Sequence, residues 1–221
     1  MVSSIYKKTF SVLMKRPFRL WGISLLAEFL CLVAYAGFIG VPAAAFCAAL
    51  LLSASMSMIF LNSYRTGLEP KTSYLFASFK KDRILRVLGG MAWMQLWIFL
   101  WSLIPIVGIV FGIIRMYEYR FVPYILMTRD DVKPTDAIKI SKQETMGYKG
   151  KMFGADILLG AVYLGVFLVF TLLGEIPYLG VLFRILWVLI AIAYGLLAPL
   201  FSGIMHAAFY VEIQNRRAAG S

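Results

Sequence analysis

The chain consists of long, continuous apolar runs separated by short polar or charged segments. Six of these runs have about the length that a helix needs to cross a bilayer, roughly 20 residues. Because their apolar residues are continuous and do not alternate with polar ones, we predict helices and not the strands of a barrel. The six predicted spans cover residues 20–35, 41–62, 85–103, 105–127, 153–173 and 178–211.

The composition also favours a polytopic membrane protein. Of the 221 residues, 61% are apolar and 15% are charged, whereas soluble domains have about 45–50% apolar and about 25% charged residues. The first residues carry scattered charges and lack a small-residue cleavage site, so we expect no cleavable signal peptide. We predict a single all-α membrane domain over residues 1–221, a bundle of six transmembrane helices arranged as three tandem hairpins.

The net charge of +11 is explained by where the basic residues fall. Four segments hold 19 of the 22 Lys and Arg residues: the one before the first span and those that follow the second, fourth and sixth spans. The other loops hold none. The positive-inside rule therefore predicts a multi-pass protein of a bacterial plasma membrane with both termini in the cytoplasm. Anionic lipid headgroups are the expected partners, and we find no nucleic-acid-binding module. The candidate lipid contacts are Lys80, Lys81, Arg83, Lys139, Lys142, Lys149 and Lys151.

Two similar turns suggest an internal repeat. "IPIVGIVF" (residues 104–111) and "IPYLGVLF" (residues 176–183) agree at Ile, Pro, Gly and Phe, and residues 37–46 resemble them loosely. Each pair of spans is also preceded by a basic, partly apolar segment. We therefore predict tandem units over residues 1–63, 72–127 and 135–213, with cytoplasmic surface helices. The alternative is that Ile-Pro with Gly is common turn chemistry.

The clearest surface segment is "KPTDAIKISKQETMGYKG" (residues 133–150). Thr135 can cap a helix with Asp136 in its first turn, and Gly147 and Gly150 can end it. Such a helix would lie along the inner membrane surface and turn its lysines toward the headgroups. The alternative is a solvated loop.

Several stretches together resemble an uncharacterised bacterial integral-membrane family, one of the families of unknown function. They are "YRTG" (64–67), "LFASFK" (75–80), "YEYRFVPYIL" (117–126) and "AIKISKQETMGYKGKMF" (137–153). The fifth span lacks the Gly-Trp step expected of that family, and the closing motif appears as "PLFSGIMHAAFY" (199–210). The resemblance implies a polytopic fold and no particular activity.

Charged residues inside spans suggest an interior polar site. Counting from the outer end of the fourth span places Arg115 near the middle of the bilayer, with Glu118 one turn further on the same face. Arg120 points elsewhere and is expected to reach toward the headgroups. The candidate intramembrane site comprises Glu28, Arg115, Glu118, Arg120 and His206. A purely structural ion pair of Arg115 with Glu118 is the alternative.

Two functions remain open. The first is a non-catalytic protein that binds lipid or a protein partner through its basic cytoplasmic helices. The second is a small transporter or channel for an ion, anionic solute or lipid headgroup, with its polar site at Glu28, Arg115 and Glu118. The sequence has no metalloprotease helix, phosphate-binding glycine loop or paired-carboxylate motif, so we expect no enzyme and no cofactor. The single histidine argues against a His-rich metal site.

Overall fold

Every regular element that the structure describes is a helix, which confirms the all-α class. The computed structural model describes residues 1–15, 17–37, 42–67, 71–104 and 107–220. In chain order the elements are α1 (Val2–Lys15), α2 (Pro17–Gly37), α3 (Pro42–Thr66), a 3-10 helix (Thr72–Phe79), α4 (Ile84–Ser102), α5 (Val107–Glu118), α6 (Val122–Thr128), α7 (Asp136–Thr145), α8 (Lys149–Leu173) and α9 (Gly180–Gly220).

Five helices in the described ranges are long and apolar enough to cross a membrane. They are Phe18–Ala36, Pro42–Thr66, Ile84–Ser102, Lys149–Leu173 and Gly180–Ala219. The predicted fourth span over residues 105–127 is not one continuous helix, because a turn at residues 119–121 separates α5 from α6. Pro123 explains the break: it has no N–H to donate, and its ring would clash with the carbonyl of Tyr119 in a continuous helix.

Buried side chains concentrate near the helix ends that the charge pattern assigns to the cytoplasm. Short α6 lies at the centre of this core, and Val122, Ile125 and Leu126 have no exposed surface. Around it pack α3, α4, α7 and the second half of α9, where Tyr124 of α6 stacks on Tyr210 with ring centroids 5.1 Å apart. The core thus forms around a helix of only seven residues.

The opposite halves of α8 and α9 form a hairpin whose outward faces are exposed. Aromatic rings hold the two helices together, as where Tyr163 stacks on Tyr194 with centroids 4.2 Å apart. Many large apolar side chains along this hairpin face outward, among them Leu158, Leu164 and Leu189. An exposed apolar surface of this extent is compatible with insertion in a membrane.

The turn between α8 and α9 is the one predicted outer turn that lies wholly within the described residues. The sequence of this turn is "GEIPYLG" (residues 174–180). Tyr178 adopts a φ of 67°, and the Gly180 N–H donates to the Ile176 carbonyl at 2.8 Å. A Cβ on Gly180 would lie 2.2 Å from the Gly174 carbonyl oxygen, so only glycine fits this close return. Residues 38–41 and 105–106 of the other two turns lie outside the described residues.

One prediction concerns the contact of α9 with α3. A Cβ on Gly203 would lie 2.3 Å from the buried Phe60 ring, whereas the space around Gly195 on the same helix is open. Both changes to alanine gain the same helix propensity, so the difference in stability between the two variants reports the overpacking at Gly203. We expect Gly203→Ala to be less stable than Gly195→Ala by about 1–3 kcal/mol. Melting temperatures of the purified proteins measure the order; equal values would contradict this contact.

Candidate functional site

The break between α5 and α6 is closed by a side chain from α7. Ser141 is fully buried, and its hydroxyl donates to the Glu118 carbonyl at 2.6 Å while accepting the Phe121 N–H at 3.2 Å. These are backbone groups that a continuous helix would pair internally. An unpaired buried backbone group costs about 1–3 kcal/mol. The hydrogen bonds of Ser141 offset this cost and allow the break to lie inside the core.

Helix α7 is the predicted surface helix, and its two faces differ. Ala137, Ser141 and Thr145 are fully buried against α5 and α6, whereas Lys139 and Lys142 are exposed. Two predicted details are wrong. Thr135 precedes the helix but makes no side-chain capping hydrogen bond, because its backbone is already helical. Gly147, with a φ of 81°, follows the helix end, but Gly150 lies within α8.

Glu118 is the most enclosed charge in the site. Its side chain is 5% exposed and accepts a hydrogen bond from Arg115 and another, at 2.6 Å, from the ammonium of Lys149. One carboxylate therefore pairs with two cations, one from α5 and one from α8. Removing the Glu118 carboxylate would leave both partly buried cations without a negative partner.

Lys149 shows where this layer meets α8. Lys149 is the first residue of α8 and precedes the apolar run that begins near Met152. Its ammonium meets Glu118, so this carboxylate lies near the first turns of α8. The position of Arg115 near the middle of a bilayer stays a prediction.

A second polar cluster surrounds Asp156, which lies seven residues, about 10 Å, further along α8. The Asp156 carboxylate accepts hydrogen bonds from Tyr117 at 2.7 Å and Arg120 at 3.1 Å. The His206 Nε2 lies 3.0 Å from the same carboxylate. Helices α5, α8 and α9 are thus joined through one acidic side chain.

The structure gathers only part of the candidate intramembrane site. Arg115 lies against Glu118, and Arg120 lies with His206 in the second cluster. Glu28 is exposed on α2 and, among the described residues, makes no hydrogen bond or ion pair with the other four, so the structure does not bring it into either cluster. The guanidinium of Arg120 pairs with the half-buried carboxylate of Asp156. Asp156 is a charge inside a predicted span, which marks it in the sequence, but it was not among the candidate residues of the site.

The basic residues named as lipid contacts divide into two groups. Arg83 pairs with Asp130 at 2.8 Å, and Lys149 is held by Glu118. Lys151 lies over the ring of Tyr148, which is 5.3 Å from the ammonium. Lys151 is nevertheless exposed, and so are the remaining four residues of the set, Lys80, Lys81, Lys139 and Lys142.

Arg86, which sequence reasoning did not single out, ties α4 to the end of α6. Its guanidinium donates to the carbonyls of Leu126 and Arg129 at 2.7 and 2.8 Å, and to the Asp130 carboxylate at 2.6 Å. Nearby, Arg129 donates to Glu144 at 2.6 Å. Burial alone would lower the pKa of Arg129, but the hydrogen bond and charge of Glu144, together with Tyr210, outweigh burial and raise that pKa. Arg86 and Arg129 thus hold α6 against α4 and α7.

Two cavities adjoin these clusters. A central cavity of about 480 Å³ lies between α3, α4, α5, α6 and α9, with Arg120 and His206 among its lining residues. A groove of about 420 Å³ lies between α4, α5 and α7, with Arg115 in its lining. Within the described part of the chain, no group of three or more His, Cys, Asp or Glu side chains could hold a metal ion.

The Glu118 layer yields a second prediction. Glu118→Gln leaves two partly buried cations without a carboxylate and should destabilise the protein by about 3 kcal/mol, at the low end for a broken buried pair because both cations keep some water. Adding Lys149→Met should restore part of this loss. Thermal unfolding of the purified variants tests both expectations.

Glu212→Gln provides the control. Glu212 pairs with Arg216 at 2.9 Å near the exposed end of α9, and exposed pairs contribute only about 0–1 kcal/mol. If the Glu118 and Glu212 variants lost the same small amount of stability, the Glu118 carboxylate would not be compensating the cations of Arg115 and Lys149.

Comparison of the chain with protein-family models, curated proteins and solved structures finds no match. The family resemblance of the sequence therefore stays a prediction. What the protein does has to be inferred from its own charges, cavities and helix arrangement.

Proposed function

We propose that this chain is a non-catalytic integral protein of a bacterial plasma membrane that binds anionic lipids through its basic cytoplasmic face. One observation carries the proposal. Of the predicted lipid contacts other than Lys151, four lysines stay exposed beside the core, at the same end of the molecule: Lys80, Lys81, Lys139 and Lys142. The ion pair of Lys139 with Asp136 is itself exposed.

The proposed topology has six crossings and cytoplasmic termini. Five are the long apolar helices, and the fourth crossing consists of α5 followed by the break at residues 119–121, with α6 inside the protein core. Irregular backbone at membrane depth is tolerated when it is enclosed by protein, as Ser141 encloses this break. The three tandem hairpins of the sequence prediction are part of this proposal.

The expected strength of the lipid interaction follows from charge. Each lysine near an anionic membrane surface contributes about 1 kcal/mol, which corresponds to a factor of about five in local concentration of a singly charged lipid. Lysines on α7 and between the 3-10 helix and α4 are positioned to act together. Arg83 and Lys149 are left out of the lipid-binding set, because they are held in ion pairs with Asp130 and Glu118.

The test compares lipid composition around the protein with that of the bulk membrane. Wild-type protein is reconstituted in phosphatidylcholine bilayers that contain a minor fraction of phosphatidylglycerol, excised with a polymer into nanodiscs, and its lipids are counted by mass spectrometry. We expect phosphatidylglycerol to be enriched around the wild type. The quadruple variant with Lys80, Lys81, Lys139 and Lys142 changed to Gln should lose most of that enrichment.

Arg184→Gln serves as control, because Arg184 is exposed at the opposite end of the molecule, near Glu175. This variant should keep the enrichment of the wild type. Unchanged enrichment in the quadruple variant would overturn the proposal, provided that all proteins elute as single species in size-exclusion chromatography.

The central cavity supports a second candidate, a passage or binding site for a small solute. The cavity combines the side chains of Arg120, His206 and Gln95 with apolar walls at the level of the Asp156 cluster. A polar cavity between transmembrane helices is where solute sites are expected. This candidate replaces the predicted Glu28, Arg115 and Glu118 site, which the fold does not assemble.

Thiol labelling tests whether water reaches this cavity. In a background with Cys31→Ala and Cys47→Ala, Gln95→Cys should react with a membrane-impermeant maleimide in intact liposomes. Ile157→Cys, exposed on the apolar flank of α8, should not react. If Gln95→Cys stays as unreactive as Ile157→Cys, the cavity is closed to water and the solute candidate fails.

A further inference from the structure

A groove between α4, α5 and α7 joins an aromatic wall to a basic rim. Trp93, Trp97 and Trp101 recur every four residues and therefore line one face of α4. Together with Tyr119 and Ile138 they border a space of about 420 Å³. Trp93 and Trp97 meet edge to face with centroids 5.8 Å apart, and each remains more than one-third exposed. The wall is preformed and accessible.

Three cations border the same groove. Lys139 and Lys142 project from α7, and they lie three residues apart and thus on one helix face. The guanidinium of Arg115, from α5, lies 4.7 Å from the ring centre of Trp101. Cations from two helices therefore surround a space that has aromatic rings on its third side.

Nearby carboxylates leave this rim positive. Asp136 pairs with Lys139 at 3.1 Å, but both side chains are exposed and such a pair is weak. Glu118 faces Arg115 and is shared with Lys149. Lys142 has no carboxylate partner among the residues that the structure describes. An anion entering the groove would meet at least one unbalanced ammonium.

We propose that the groove binds one anionic phospholipid, its phosphate at Lys139 and Lys142 and an acyl chain along the tryptophans. This inference rests on the proposed lipid-binding function and narrows it to a single site. Basic pockets between transmembrane helices are suited to acidic headgroups, and indole rings favour the boundary between headgroups and acyl chains. A free phosphate would leave the tryptophan wall unused.

Fluorescence quenching by brominated lipids provides the test, because bromine quenches only tryptophans that it contacts. Trp21→Phe and Trp187→Phe leave the three groove tryptophans as the only indoles of a chain with five. The protein is reconstituted in phosphatidylcholine, and the quenching caused by brominated phosphatidylglycerol is compared with that by brominated phosphatidylcholine. We expect a clear preference for phosphatidylglycerol in this background.

Two double variants distinguish binding in the groove from general attraction of anionic lipids to the basic face. Lys139→Gln with Lys142→Gln should reduce the preference by about tenfold or more, as expected for two lysines of about 1 kcal/mol each. Lys80→Gln with Lys81→Gln removes the same charge from the same face, outside the groove, and should leave the preference nearly unchanged.

The remaining outcomes overturn the inference in distinguishable ways. Equal losses in both pairs would mean diffuse attraction: the proposed function would stand and the single site would fall. No preference in the unaltered background would overturn the site and count against the function as well. Displacement of the brominated lipid by glycerol 3-phosphate would identify a site for free phosphate esters, and displacement by a poly-aspartate peptide a site for an acidic protein.

Discussion

The interruption between α5 and α6 is the feature on which the rest of the structure depends. Pro123 prevents a continuous helix, and the pairing of Ser141 with the Glu118 carbonyl and the Phe121 N–H allows the break to be buried. Because of that break, α6 turns inward and becomes the centre around which α3, α4, α7 and α9 pack. The same contact fixes α7 beside α5, and so places its exposed lysines next to the tryptophan wall.

The charges of the core mainly join helices. Glu118 connects α5 to the start of α8, Asp156 connects it to α8 and α9, and Arg86 connects α4 to α6. Such buried pairs are costly to break and contribute little net stability when formed, so their main effect is to fix the position of each helix. The lysines that remain exposed are free to meet anionic headgroups, which is why the proposed function rests on them.

Much of the helix content followed from the sequence, but the fourth span did not. Continuous apolar runs predict the existence of long helices, and Asp136 and Gly147 correctly indicated where α7 begins and ends. The break at residues 119–121 depends on Ser141, twenty residues later, and no local pattern shows that such distant groups will meet. The pairing of Arg115 with Glu118 could be predicted from their spacing of three residues. The contacts of Lys149 and Asp156, and the position of Glu28 outside them, depend on the tertiary structure for the same reason.

The pairing of Ser141 with the broken backbone tests the account most directly. Ser141→Ala removes the hydroxyl that pairs with the Glu118 carbonyl and the Phe121 N–H, whereas Ser202→Ala removes a hydroxyl that bonds within its own helix, to the Pro199 carbonyl. The account predicts that Ser141→Ala lowers the free energy of unfolding by about 1–3 kcal/mol more than Ser202→Ala, measured by thermal unfolding of the purified proteins. Equal stabilities of the two variants would contradict it.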